Sequence, residues 1–186
     1  MSEDKRMSRN PGEPAKTDPA GAERWAGYLA WVRADMIDAV LALPAEQRRQ
    51  ARVPSNWTPI ELLGHVLHME QRWFVWGFLG EPVDDPWGDW NVEEPFRSDD
   101  SDETRPAARW VVADDVTAEQ IADRLTALGQ RTSQILGTYA LDAVASPGGR
   151  FAENRPTLEW ICFHVLAEYA RHAGHLDIVA ELSTDG

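Results

Sequence analysis

Four stretches of this chain carry apolar residues at three- and four-residue spacing, the period of a helix with one buried face. Over residues 22–43 the stripe is Trp25, Leu29, Val32, Met36, Ala39, Val40 and Leu43, and Pro44 stops it. Residues 58–80 open on Thr58, Pro59 and Glu61, a capping box with proline in the first turn, and end at Gly80. Residues 118–138 follow a second capping box, Thr117 with Gln120, and carry Ile121, Leu125, Leu128, Ile135 and Leu136. Gly129 weakens that helix modestly. Residues 157–182 start at Thr157 and run without a breaker. No stretch alternates in the manner of a strand. The pattern predicts an all-α four-helix bundle with a long crossover between the second and third helices.

The connecting segments qualify this picture. Residues 1–20 are charged and rich in proline and glycine, which predicts a disordered tail ahead of a single domain over 21–183. Arg48, Arg49 and Arg52 read as a solvated loop, with an anion-binding rim as the sharper alternative. The crossover, residues 81–116, sets Trp87, Trp90, Phe96 and Trp110 among carboxylates and prolines. Its aromatics are expected to fill gaps over the bundle, or to form a lid that shapes a pocket. Pro147, Gly148 and Gly149 mark a turn.

A formal net charge of −13 argues against nucleic acid and against anionic membranes as partners. Cys162 is the only cysteine, so no intrachain disulfide can form. No apolar run reaches the roughly 20 residues of a membrane span, and the N-terminus has no hydrophobic signal core. The expected location is cytoplasmic.

The polar faces carry the chemistry. All five histidines lie on the second and fourth helices. His164, Glu168, His172 and His175 fall within roughly 80° of one helix face, and Glu61, His65, His68 and Arg72 share a face by the same count. Two ligands four residues apart on one helix, with a third from a neighbour, can surround a divalent ion. Glu168 and His172 supply the pair and His65 the third. His65 lies about 10 Å into its helix and His172 about 15 Å from the end of its own, levels that match if the two run antiparallel. His68 could stand in for His65, and His164 with Glu168 is a rival pair. The alternative to a metal site is a buried polar network that fixes helix register. Cys162 lies about 200° around the helix from His164 and reads as a packed core thiol rather than a nucleophile.

Residues 61–68, ELLGHVLH, and 168–177, EYARHAGHLD, in this order and spacing, resemble the DinB/YfiT-like superfamily. The likeness spans roughly residues 22–182 and is nearest to the actinobacterial branch that includes the metal-binding domain of mycothiol-dependent maleylpyruvate isomerase. The resemblance implies a four-helix bundle with a three-ligand metal site whose His, Glu, His order maps onto His65, Glu168 and His172. His175 stands where many relatives carry glutamine, which implies a neighbour rather than a ligand. Some relatives activate a small thiol on the metal for S-transfer or isomerisation.

The expected function is therefore that of a metal-dependent enzyme. It would use zinc, or else nickel or iron, to activate a low-molecular-weight thiol toward a small-molecule substrate. His68 and His175 are the expected acid–base or supporting groups, and Trp73 and Trp76 are expected to bound the cofactor pocket. Alternatives are metal-water hydrolysis with His68 or Glu61 as base, a non-catalytic metal- or ligand-binding stress protein, and a structural homodimer.

Overall fold

Helices form where stripe, cap and breaker agree. A computed structural model describes residues 10–17, 20–96 and 107–184. The four helices are α1 (Ala22–Ala42), α2 (Pro59–Gln71), α3 (Ala118–Thr138) and α4 (Leu158–Thr184). Among the described residues there is no strand, only isolated bridges. The all-α bundle expected from the spacing is the observed class.

Both expected capping boxes form. Thr58 and Glu61 exchange side-chain and backbone hydrogen bonds at the start of α2, and Thr117 and Gln120 do the same at α3. The second helix departs from the expected regular run to Gly80. After Gln71 it widens into a π-helix, Arg72–Leu79, and stops at left-handed Gly80. Such widening re-aims side chains and is common at functional sites.

Part of the segment expected to be a disordered tail lies along α1. Asn10 bonds Asp35, and Pro14 touches Gly27. Residues 1–9 and 18–19 lie outside the described residues. The arginine-rich connector is largely exposed, as expected of a solvated loop, but two of its arginines are tied down. Arg48 donates to the carbonyls of Leu41 and Leu43 and to Glu119, and Arg49 donates to the carbonyls of Ala113, Asp114 and Val116. These two guanidiniums tie the end of α1 to the start of α3, because a connector passing so close leaves carbonyls that need donors. They are not free for an anion-binding rim.

In the bundle α1 and α2 are diagonal, each packed between α3 and α4. Partners along α2 and α4 run in opposite order: Trp57 with His175, His65 with His172, Trp73 with His164. The two helices are antiparallel. Contacts of α2 with α3 run in the same order, Gly64 beside Ile121, Glu70 with Thr132, Phe78 with Tyr139. Two parallel neighbours cannot be joined by a tight turn, which accounts for the long crossover.

One carboxylate reaches all four helices. Glu70 on α2 is fully buried. It accepts two hydrogen bonds from Arg33 of α1, at 2.9 and 2.8 Å, one from Thr132 of α3 and one from Tyr169 of α4. The Arg33 guanidinium crosses Gly129, where a Cβ would lie 2.5 Å from it. The glycine that weakens α3 on its own is the one that admits the arginine. Glu70→Leu strands a buried guanidinium, and denaturant unfolding of this variant is expected to show a loss of about 3–5 kcal/mol. An unchanged midpoint would mean that the network contributes nothing.

Candidate functional site

The histidine faces of α2 and α4 meet along their antiparallel seam. His65 and His172 are both 5% exposed, too buried for surface histidines, and their rings lie 5.0 Å apart, nearly perpendicular. Glu168 Oε2 stands 3.4 Å from His172 Nε2, and Glu168 Oε1 stands 3.8 Å from His164 Nε2. The seam continues outward from His164 to Trp73, 4.1 Å between ring centres, and to Trp160, stacked at 5.3 Å.

The crossover closes over this seam. Its two legs pair through an antiparallel bridge between Trp90 and Trp110, with Asn91 N–H donating to Arg109 and Val111 N–H to Asp89. That pairing places Asp89, 1% exposed, against His65. Asp89 Oδ2 is 2.7 Å from His65 Nδ1, and Arg72 bonds both Asp89 oxygens. Arg72 also donates to the carbonyl of Pro86. Trp110 stacks on His65 at 4.2 Å, and Trp90 meets it edge-on.

Sequence reasoning missed Asp89. It is one of several carboxylates in an irregular segment, and only the pairing of the two legs selects it. The expectation that the crossover aromatics cover the bundle holds for Trp90 and Trp110, which also wall a cleft of about 180 Å³ with Trp57, Glu61 and Asn56. The indole N–H groups of Trp90 and Trp110 are buried without hydrogen-bond partners.

Other candidate residues separate from the His65–His172 pair. His68 turns to the far side of Asp89, into a cavity of about 360 Å³ walled by Leu67, Asp85, Gly88 and Arg124. Three residues along a helix leave about 60° between two side chains, enough for His65 to face α4 and His68 to face α3 and the crossover. His175 is exposed, 5.9 Å from His172. Trp73 lies at the His164 end of the seam, and Trp76 packs edge-on to Trp87 beyond it. Cys162 is buried in the core, and burial pushes its thiol up to about 12.

Electrostatics follows burial. Desolvation lowers the pKa of His65, of His68 and of His164, and in His65 it outweighs the bond to Asp89. Burial alone would raise Asp89, but its bonds from His65 and Arg72 hold it below the ordinary value. The contact with His172 lowers Glu168 against the opposing effect of its burial.

The donor set suits a divalent ion. Asp89 occupies His65 Nδ1 and leaves the Nε2 lone pair free, the arrangement found behind many metal-bound histidines. Both ring nitrogens of buried His172 lack a hydrogen-bond partner. Among the described residues, however, no three His, Cys, Asp or Glu side chains stand assembled for a metal ion.

Residues 25–186 match the family model described as Mycothiol-S-transferase. The chain belongs to that family. It is a DinB-like family of actinobacteria, so the expected resemblance is borne out. No curated protein and no solved structure matches the chain. Among the described residues no helix is long and apolar enough to cross a membrane.

The lowered histidine values set a pH dependence. The unfolded chain takes up these protons from about pH 6.5 downward, before the folded chain does, so stability present above that pH is lost as the pH falls. Thermal unfolding with chelator present should show a lower midpoint at pH 5 than at pH 7. His65→Gln, which cannot protonate, should flatten that slope. An unaltered slope would show that burial of neutral His65 is not its source.

Proposed function

We propose that this member of the mycothiol S-transferase family transfers the thiol of mycothiol to a small electrophile, with a divalent metal, zinc first, held by His65, Glu168 and His172. The observation that carries the reading is the pair of buried imidazoles at the seam: one pinned through Nδ1 by Asp89, the other with no hydrogen-bond partner at Nδ1 and only the Glu168 carboxylate, at 3.4 Å, facing Nε2. A buried polar group without a partner costs stability. In this reading a bound ion offsets that cost. When bound, the ion would supply positive charge that lowers the pKa of a neighbouring thiol.

The chain's own residues have separate tasks. Asp89 fixes the tautomer and orientation of His65, and Arg72 keeps Asp89 ionised and in place. Trp110, stacked on His65, and Trp90 exclude water from the seam. They also wall the cleft shared with Trp57, which would receive the polar thiol cofactor. His175, exposed beside His172, can take the thiol proton to solvent. His68 lines the separate cavity it shares with Asp89 and Arg124 and does not face the thiol. Cys162, with its thiol pushed up to about 12 and buried in the core, is not the nucleophile, so the reacting sulfur arrives with the cofactor.

Metal content by elemental mass spectrometry, on protein purified without chelator or a histidine tag, should be near stoichiometric. It should be lost in Glu168→Ala and in His172→Ala. Asp89→Asn should weaken metal affinity by roughly 10- to 100-fold while the fold is kept. Conjugation of mycothiol to a model electrophile should fall in parallel. Native protein that takes up no zinc, nickel or iron(II) would sink the reading.

A further inference from the structure

At the His164 end of the seam one cation has no counter-ion among the described residues. The Arg150 guanidinium lies 4.2 Å from the ring centre of Trp73 and 5.7 Å from that of Trp87. Trp87 also carries the Arg72 guanidinium at 4.6 Å, but Arg72 is satisfied by Asp89. Among the described residues no carboxylate pairs with Arg150 and no acceptor takes its side-chain N–H groups. Burial, and then Arg72, lower its pKa to about 10. A half-buried guanidinium without an anion is costly, and the usual remedy in a folded chain is a carboxylate. With a net charge of −13, this chain has carboxylates to spare.

The position of Arg150 is fixed by its backbone. Its N–H donates to the Trp76 carbonyl at 3.4 Å, and Phe151 packs on Trp73 at 5.5 Å. Gly149 has a positive φ of 56°, and a Cβ there would lie 2.1 Å from the Trp76 oxygen. Only glycine lets the loop lie this close to the π-helix. The guanidinium carbon lies over the Trp73 ring. The parallel N–H donors along a guanidinium edge fit the two oxygens of a carboxylate.

The geometry points to Arg150 as the anchor for a carboxylate on the electrophilic substrate, with half-buried Trp87 beside it. Trp73 touches His164, and His164 faces Glu168, so Arg150 stands at the outer end of the seam that leads to His172. The thiol cofactor, in the Trp57–Trp90–Trp110 cleft, would approach from the opposite end. The role of Arg150 as substrate anchor rests on the transferase reading. Its affinity for a carboxylate does not.

Ligand-observed NMR titration of the full chain tests the anchor without turnover. The probes are benzoate, its neutral isostere benzamide, and inorganic phosphate. Benzoate should bind at least ten-fold more tightly than either of the others. Arg150→Gln should abolish that preference, Arg150→Lys should keep part of it, and His172→Ala should leave it intact. Equal binding of benzoate and benzamide, or a preference that survives in Arg150→Gln, would overturn the assignment. Phosphate binding as tightly as benzoate would overturn the carboxylate class. Circular dichroism of each variant separates loss of the site from loss of the fold. A native protein that prefers benzoate but transfers no thiol would refute the transferase reading and leave the anchor standing.

Discussion

Everything at the seam depends on a buried carboxylate that takes no part in it. Glu70 meets a donor from each of the other three helices, so rotating or sliding any of them breaks a hydrogen bond in the core. An apolar core of leucine and isoleucine tolerates small slips between helices, but a fully paired buried charge does not. Glu70 lies five residues after His65 on α2, and Tyr169 lies one residue after Glu168 on α4. Fixing Glu70 to Tyr169 therefore fixes the level at which His65 meets His172.

The periphery is pinned by similar means. Arg48 and Arg49 satisfy carbonyls where α1 gives way to α3, and Arg72 does so at Pro86 before it reaches Asp89. In each case a guanidinium, with several donors in a rigid plane, organises irregular chain that has no ladder of its own. Arg150 is built into the same scaffold but has no such partner among the described residues. That contrast, rather than its charge alone, sets it apart.

The helices and their boundaries were legible because spacing, capping boxes and breakers coincide in this sequence. The His65–His172 encounter was legible too, since helix periodicity placed both rings on facing surfaces and their depths matched in an antiparallel pair. The Glu70 network left a readable trace that was passed over. Arg33 falls on the line of Leu29, Met36 and Val40, and Glu70 on that of Val66, Leu67 and Phe74, and a charge inside an apolar stripe marks a buried pair. Asp89 left no trace, because its position depends on the pairing of two crossover legs distant in sequence. Nor did the π-helix, which turns Arg72 toward Asp89 and Trp73 toward His164. The anchoring by Arg48 and Arg49 was illegible for a related reason: their acceptors are mostly backbone carbonyls, which composition does not reveal.

The bridge between Trp90 and Trp110 separates two functions of the crossover. The legs are fastened to each other and to α2, so the position of Asp89 is set at the root of the excursion and not along it. Chain beyond the bridge can lengthen, shorten or change composition at little cost to the histidine pair. A crossover fastened at its root suits divergence: relatives could vary its outer sequence while inheriting an unaltered interior.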